Sequence, residues 1–398
     1  MMKKFILIII VLGLGLNTNA QNSVQQTATD IVSNNLIIKA LGIENQIKML
    51  EDRKALIPDD PELIGAYLWG SPSFIGKRKN LNAHQRIKFP TYYSQLKKVN
   101  DLSTDLYGIN LDSEINRVLF ESLDLMIDMV HLSGNKEVIR ERLVLLRQIH
   151  SLAAKMFDAG ETNRIELEKA SLLVDIYQQD LLMLISEEKI IGRQLVVLNA
   201  GQGLDLHALK YSDFEEMYSN RKANSAMVDN PVLELAKINK QLAGANVDFA
   251  KTAYLPDLQF GFVRETIRDE KLAGVEFGIS IPIWGKSNQV KKARLGRDLS
   301  EYNETLTKLL ISNDWDNLNE MARQSIEIKG NLESSLNSLK SKELLEESWK
   351  QGEISLLDYL KELPFYYGVE DRVIEAERQY YKALLNRNSN HLSQMIGL

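Results

Sequence analysis

The stretch AGVEFGISIPIW, at residues 273–284, carries the pattern on which the fold depends most. Successive side chains of an extended strand point to opposite faces, so the alternation in this stretch predicts a strand with two unlike faces. Pro282 is expected to end it, because proline cannot donate a hydrogen bond to a neighbouring strand. Such a strand suits a soluble sandwich, where one face meets a core, or a membrane barrel, where one face meets lipid. The apolar face would carry Val275, Phe277, Ile279 and Ile281, and the opposite face Glu276, Gly278 and Ser280.

The sequence predicts two β-hairpins, and the quoted stretch is the return strand of the second one, at about residues 256–282. Leu258, Phe260 and Phe262 alternate with less bulky or polar residues in the outgoing strand, and the polar residues 268–270 predict the turn. The first hairpin is predicted at about residues 61–90, with strands at 62–74 and 83–90 and a polar turn at 76–80.

Long helices are predicted after each hairpin. Residues 91–156 form either one helix or two in line, with a break at Ser133-Gly134-Asn135. A helix at 164–198 follows the first reversal, and after the second hairpin the pattern predicts helices at 287–349 and 356–395. Shorter helices are predicted before the hairpins, at 27–56 and 231–254.

The order of these elements repeats, which indicates an internal duplication. The segment IKFP at 87–90 corresponds to ISIP at 279–282, and FDAGE at 157–161 corresponds to WKQGE at 349–353; both pairs are offset by 192 residues. We therefore predict a first repeat over 21–205, with its helical turn at 157–163, and a second over 206–398, with its turn at 349–355.

The N-terminus is typical of a secretory signal peptide over residues 1–20. Lys3 and Lys4 precede an apolar run at 5–16, and small residues lead to an expected cleavage site after Ala20. The run is too short to span a bilayer as a helix, and no later run of about 18 apolar residues occurs. Membrane residence would therefore depend on the strands.

Composition argues against several classes of function. The sequence has no cysteine, and its five histidines show no metal-ligand spacing, so no metal site or cofactor is predicted. A net charge of −6 with interspersed signs disfavours nucleic acid as a partner. No phosphate-binding loop, nucleophile elbow or acid–base pair is recognisable, so we do not expect an enzyme.

Two hairpins supply four strands, which cannot close a barrel. In lipid, every backbone donor and acceptor needs a partner, so open strand edges must be completed by other copies of the chain. Three chains would supply twelve strands, and the long amphipathic helices would pack side by side into a tube.

Several segments carry a resemblance to a known family. They are Leu255-Pro256-Asp257-Leu258, residues 274–282 followed by Trp284-Gly285, the two Gly-Glu turns, and residues 195–201. Through these segments the sequence resembles the TolC-type family of outer-membrane efflux proteins. This resemblance implies a mainly α protein with transmembrane β, in which a homotrimer forms a 12-stranded outer-membrane barrel above a long periplasmic α-helical barrel. It implies a passive exit duct that meets a periplasmic adaptor and an inner-membrane pump.

The resemblance also implies a periplasmic gate. In the family, an acidic residue six positions after the turn glycine helps close the pore. In this chain the matching residues are Glu166, six positions after Gly160, and Asp358, six positions after Gly352. A ring of carboxylates at a narrow mouth would attract cations. The alternative is that both residues only complete capping boxes at helix starts.

The sequence departs from the family beside this gate. Where a basic or hydroxyl residue often supports the closed mouth in the family, this chain has Arg164 and Leu356. The turn residues are implied to contact the adaptor, although the glycines could simply allow a tight reversal. These docking residues are Gly160, Glu161, Gly352 and Glu353.

Polar residues of the hairpins are expected to face a water-filled lumen. The alternative is that they face bulk solvent on a soluble sheet. These residues are His84, Arg86, Lys88, Glu276 and Ser280. Aromatic residues near strand ends, Tyr67 and Trp69 among them, would anchor at a membrane interface or pack against the helices.

A short segment and the length of the chain bear on the substrate class. The Ile-Pro-Asp-Asp-Pro-Glu-Leu segment at 57–63 and the short chain look most like outer-membrane subunits of heavy-metal or cation efflux systems. Export of polypeptides by a type I secretion system is an alternative within the duct class. A periplasmic coiled-coil adaptor or scaffold would retain the long helices but would lack hairpins with a lipid-facing side.

Overall fold

The computed structural model describes residues 23–72, 74, 76–219, 230–267, 270–283, 287–338 and 341–397. The predicted signal peptide, the centre of the second hairpin turn and the Trp284-Gly285 pair lie outside the described residues.

The first half of the chain alternates short helices, a hairpin and two long helices. Asn35 separates the first two helices, and its side chain accepts hydrogen bonds from the backbone N–H groups of Ile37 and Ile38, which caps the second helix. Pro90 opens the longest helix at a position where the missing N–H costs no hydrogen bond. The elements are α1 (Ser23–Asn34), α2 (Leu36–Lys54), β1 (Glu62–Trp69), β2 (Lys77–Lys88), α3 (Pro90–Asp158) and α4 (Arg164–Leu198).

The second half follows a similar order after a short connecting helix. Asn230 caps the helix that begins at Pro231, and Ser355 caps the helix that begins at Leu356. The elements are α5 (Tyr211–Ser219), α6 (Pro231–Lys251), β3 (Asp257–Ile267), β4 (Glu270–Ser280), α7 (Ser287–Ser338), α8 (Ser341–Lys350), α9 (Leu356–Asn388) and α10 (Leu392–Ile396). Short 3₁₀ turns at Thr252–Tyr254 and Ser389–His391 shorten the helices predicted at 231–254 and 356–395.

The structure corrects further details of the sequence prediction. Asn35 divides the helix predicted at 27–56 into α1 and α2. The Ser-Gly-Asn segment at 133–135 does not interrupt α3, which runs unbroken for 69 residues, or about 100 Å at 1.5 Å per residue. The first hairpin turns at 70–76 rather than at 76–80, because residues 77–80 pair with 66–69 of β1. Polar residues are compatible with a strand there, since both faces of that end of the sheet are exposed.

All four strands belong to one antiparallel sheet in the order β1-β2-β3-β4. The two hairpins join through β2 and β3, where Lys88 is paired with Asp257 and Arg78 with Ile267. Within the described residues, β1 and β4 each have a partner on one side only. The sheet therefore has two open edges, one from each half of the chain.

The helices enclose two apolar clusters. One lies where α1, α5 and α10 pack on the middle of α3, with Phe214, Leu119 and Leu385 fully buried. The other lies towards the two helical turns and joins α3, α4 and α9 through Leu146, Ala170 and Leu360. Within the described ranges, we find no helix with a segment long and apolar enough to cross a membrane. The predicted fold class, mainly helical with four strands, is confirmed for the single chain.

Candidate functional site

The two helical turns have the same local geometry. Gly160 and Gly352 adopt positive φ angles of 77° and 76°, a conformation that side chains with a Cβ rarely adopt. Each glycine N–H donates to the carbonyl three residues earlier at 3.0 Å, and the following glutamate N–H donates five residues back at 2.8 Å. These are the bonds of the Schellman motif, which satisfies carbonyls left open at a helix end. The side chains of Glu161 and Glu353 are exposed beside these turns.

Glu166 lies in a capping arrangement at the start of α4. Its backbone N–H donates to the Asn163 side chain at 3.0 Å. Its carboxylate accepts a hydrogen bond from the Asn163 amide at 3.1 Å and one from the Thr162 hydroxyl. The carboxylate is partly exposed, so it retains access to water while it closes the cap.

Asp358 occupies the matching place in α9. Ser355 Oγ donates to its carboxylate at 2.7 Å, and Lys361 Nζ lies 3.6 Å from the other oxygen. The hydrogen bond from Ser355 and the charge of Lys361 lower the pKa of Asp358 below its ordinary value. Asp358 is therefore an exposed, ionised carboxylate at neutral pH. Both acidic residues take part in caps, and pore lining stays a prediction for each.

The residues that depart from the family pattern have ordinary structural roles here. Arg164 forms an exposed ion pair with Glu168 at 2.7 Å and makes none with the capping carboxylates in the described structure. Leu356 is buried in the apolar cluster next to the turns, together with Tyr359 and Leu360. This cluster packs the two helical turns against one another through apolar contacts.

A buried arginine between α3 and α9 is a feature that sequence reasoning missed. Arg142 of α3 is 3% exposed, and it contacts Glu370 at 3.0 Å and Asp371 at 2.7 Å on α9. Its guanidinium carbon lies 4.4 Å from the centre of the Tyr367 ring, close enough for a cation–π contact. Because a buried charge is stable only when paired, Arg142 fixes how α3 and α9 lie against each other.

A second polar seam joins α3 and α9 farther from the turns. Lys382 lies 3.0 Å from Asp124 and 2.9 Å from Asp128, and Arg378 also contacts Asp128. His131 lies beside this seam, 3.7 Å from Glu375, and is 8% exposed. Burial lowers the pKa of His131, and the positive charge of Arg378 lowers it further, against the opposing effects of Glu375 and Asp128.

We predict that His131 makes the helical assembly sensitive to acid. The folded state favours the neutral imidazole of His131, whereas the unfolded chain takes up a proton on this residue near pH 6.5. The folded state therefore has its full stability above about pH 6.5 and loses stability as the pH falls below that value. Thermal unfolding of the detergent-solubilised protein at about pH 7.5 and about pH 5.5 measures this loss. The His131→Gln variant should lose less stability over that range than the wild type, and His150→Gln, on the same helix, serves as the control. Equal losses in all three proteins would contradict the prediction.

The five strand residues predicted to face a lumen share one face of the sheet. Lys88 Nζ lies 2.7 Å from Asp257, which is paired in turn with Ser280. His84 lies over Gly261, where a Cβ would come within 2.6 Å of its Nδ1, and it approaches Glu276 at 3.9 Å. Arg86 is exposed two residues away on the same face. These residues form adjacent polar rows across the sheet, and their orientation towards a lumen stays a prediction.

The opposite face is apolar over most of its length. Val275 is 92% exposed, and the rings of Phe260 and Phe277 pack 5.3 Å apart across β3 and β4. Val275, Phe260 and Phe277 all stay exposed in the described structure, and an exposed apolar patch of this kind is typical of a surface that contacts a membrane or another molecule. All five carboxylates of the strands lie on the polar face. They are Glu62, Asp257, Glu265, Glu270 and Glu276.

Among the described residues, no group of three or more histidine, aspartate or glutamate side chains could hold a metal ion.

Comparison with solved structures identifies the same fold in outer-membrane channels. Structures of CusC, reported for conformational changes accompanying folding and transmembrane channel formation, match with a TM-score of 0.79 at 13% identity, over 97% of this chain and 95% of that one. The CmeC outer membrane channel of Campylobacter jejuni matches with a TM-score of 0.76 at 15% identity, over 93% of this chain and 85% of that one. The open-state MtrE outer membrane channel of Neisseria gonorrhoeae matches with a TM-score of 0.70 at 13% identity, over 93% of this chain and 88% of that one.

No protein-family model matches the sequence, and a search of curated proteins gives no significant match. The structural likeness extends over nearly the whole chain in each case. The resemblance drawn from the sequence is therefore confirmed at the level of the fold.

Proposed function

We propose that the chain is one subunit of an outer-membrane exit duct, which conducts substrates passively from a periplasmic adaptor and an inner-membrane pump to the exterior. One observation carries the proposal: a sheet with an exposed apolar face and two open edges continues into a layer of long helices. The strands have 8, 12, 11 and 11 residues, and about 9–11 residues suffice for a tilted strand to span a bilayer.

The helical layer has open edges on the same sides as the sheet. Helix α3 packs against α4, α6 and α9, and α7 packs against α6 and α9. Within the described part of the chain this leaves α4 at one margin of the helical layer and α7 at the other. Helix α2, which leads into β1, packs on α3, and β4 leads into α7. One margin thus comprises α2, β1 and α4, and the other comprises β4 and α7.

Both helical margins carry exposed apolar seams. The seam of α7 follows a spacing of four and three residues, which is typical of a helix that packs against another helix along its length. On α4, exposed apolar residues recur every seven positions. The α7 residues are Leu295, Leu299, Tyr302, Leu306 and Leu309, and those of α4 are Ile176, Met183, Ile190 and Val197.

These unlike margins favour head-to-tail association of identical copies. Contact between two different surfaces of the same molecule generates a ring when the rotation closes. Closure would pair β4 of one copy with β1 of the next and satisfy the backbone groups that lipid cannot. Three copies, the number implied by the resemblance, would give twelve strands and place the polar face around the lumen.

The helical turns are the proposed contact with the adaptor. Glu161 and Glu353 lie exposed at the end of the helical layer, and the glycine turns leave the backbone there uncovered.

We propose heavy-metal ions or other cations as the class of substrate that the duct exports. The segment at 57–63 looks most like outer-membrane subunits of such systems, and the CusC structures share the fold over 97% of this chain. The metal would be cargo in this case, passing a lumen lined by the polar strand residues.

The capping carboxylates provide a test of the proposed gate. Glu166→Gln with Asp358→Asn removes both charges and keeps oxygen atoms that can accept the capping hydrogen bonds. We expect a weaker preference for cations and a changed single-channel conductance in planar bilayers, because the carboxylate ring would be neutral.

The control for the gate removes the caps and keeps the charges. Asn163→Ala with Ser355→Ala should lower stability by about 1 kcal/mol per cap and retain the cation preference of the wild type. Unchanged conductance and selectivity in Glu166→Gln with Asp358→Asn would assign these carboxylates to capping alone.

Reconstitution tests the proposed function itself. Purified full-length protein added to planar bilayers should produce discrete conductance steps from a stable oligomer. A protein that stays soluble without detergent and produces no channels would instead support the periplasmic scaffold.

A further inference from the structure

The apolar face of the sheet changes character near the hairpin turns. Along β2, β3 and β4 its side chains are largely uncharged from the helix-proximal end to the middle, and then become basic. In the described strands this face carries four basic residues and no carboxylate. We call this set the basic rim; it consists of Lys77, Lys79, Arg264 and Lys271.

The register brings the basic rim together. Lys79 is paired with Thr266, and Thr266 is paired with Lys271, so the two lysines are two strands apart in one row. Neighbouring strands lie about 4.8 Å apart, which separates these backbones by roughly 10 Å. Arg264 is two residues along β3 from Thr266, on the same face. Extended side chains from all these positions can reach a common group of anions.

The basic rim differs from the basic residues of the polar face in its partners. Arg78 forms an ion pair with Glu265, and Lys88 lies 2.7 Å from Asp257. In the described structure no member of the basic rim forms an ion pair, and all four side chains are exposed. The rim is thus a concentrated positive charge that the described chain does not neutralise.

Aromatic residues border the rim on the same face. Tyr67 and Trp69 have ring centres 6.3 Å apart, and Lys79 Nζ lies 5.7 Å from the Tyr67 ring centre. Trp69 is 76% exposed. Tryptophan and tyrosine prefer the boundary between headgroups and acyl chains, and lysine extends from that boundary towards polar groups. This end of the sheet therefore suits the membrane interface farther from the helices.

We propose that the basic rim binds phosphorylated lipid headgroups in the leaflet reached by the hairpin turns. The inference rests on the proposed function, because it requires the apolar face to meet lipid. The occupant follows from the continuity of the surface, since a phosphorylated lipid can place its acyl chains on Phe260, Phe262 and Val275 while its phosphates meet the rim. Basic residues near an anionic membrane surface each strengthen binding, and several acting together give lipid selectivity.

Native mass spectrometry of the detergent-solubilised oligomer provides the test. A diphosphorylated glycolipid is titrated against the same glycolipid without phosphates and against phosphatidylethanolamine, with inorganic phosphate as competitor. The test variant is Lys77→Gln with Lys79→Gln and Lys271→Gln. The matched control is Arg78→Gln with Arg86→Gln and Lys88→Gln, which removes the same charge from the polar face.

We expect the wild type and the control to bind the diphosphorylated lipid about tenfold more tightly than its dephosphorylated form, and the test variant to lose this preference. Millimolar inorganic phosphate should compete only weakly, because the acyl chains contribute to binding. Equal affinity for both glycolipids, or equal loss in the test and control variants, would overturn the proposal. Full competition by inorganic phosphate would indicate a simple anion site and would also overturn it.

Channel recordings on the same preparations separate this proposal from the proposed function. A wild type that forms channels without preferring the phosphorylated lipid would refute only the basic rim. A wild type that neither inserts nor conducts would refute the duct itself.

Discussion

Replacing Phe277 by arginine is expected to abolish stable insertion into the membrane. Phe277 is 58% exposed on the apolar face, where it packs against Phe260. An arginine facing lipid near the middle of a strand costs about 2–4 kcal/mol per copy, and every copy in the ring would bear that cost. Reconstitution into liposomes followed by protease protection measures the effect, and we expect at least a roughly tenfold fall in the protected fraction.

Ser280→Arg is the matched control for this prediction. Ser280 lies on the same strand as Phe277 and on the opposite face. The control protein should insert and should differ from the wild type in conductance only. Equal insertion of Phe277→Arg and Ser280→Arg would contradict the assignment of the two faces.

Charges on the α7 seam are expected to prevent ring closure. Leu299 and Leu306 are 61% and 54% exposed, and both belong to the apolar seam. Leu299→Glu with Leu306→Glu should leave monomers or open oligomers, because each closed contact would bury carboxylates without partners. Light scattering of the detergent-solubilised protein gives the mass of the assembly.

The control adds the same charge elsewhere on α7. Gln289→Glu with Ser312→Glu places two glutamates at exposed positions away from the face of the seam. This protein should retain the wild-type assembly. An intact oligomer in the seam variant would show that α7 does not form the contact between copies.

Features with a local cause were predictable from the sequence. The start of α4 at Arg164 and the start of α9 at Leu356 follow from their capping residues and from the glycines that end the preceding helices. The alternation around Phe277 indicated the two faces of β4 because strand geometry has a period of two residues. Each of these inferences needs only neighbours within one turn or one strand.

Features that depend on distant partners were not predictable in the same way. Gly134 suggested a break, yet α3 continues because α4 and α9 pack along it. The run Lys77–Asn80 resembled a turn, and its strand conformation depends on pairing with β1 and β3. Arg142 carries no local sign of burial, since its partners are more than 200 residues away on α9.

The open margins also became apparent only in three dimensions. The sequence indicates apolar periodicity in most helices. Periodicity alone does not distinguish the apolar side chains that are covered by another helix of the same chain from those that stay exposed. The fold places Leu299 and Met183 on surfaces that the chain leaves exposed. Their position on opposite margins is what favours a head-to-tail ring.

Cysteine cross-linking tests this ring most directly, because the chain has no cysteine of its own. Ala273→Cys in β4 is combined in turn with cysteine at residues 63, 65 and 67 of β1. A disulfide needs Cα atoms within about 7 Å, whereas β1 and β4 of one chain are three strand spacings apart, or roughly 14 Å. Only contact between copies can therefore form the bond.

We predict that at least one of these double variants, oxidised in the membrane, gives a covalently closed species of three chains, while the single-cysteine variants stay unlinked. Two results together would contradict head-to-tail closure. Copies of a variant with a single cysteine in β1 would link to each other, and no double variant would give a closed species.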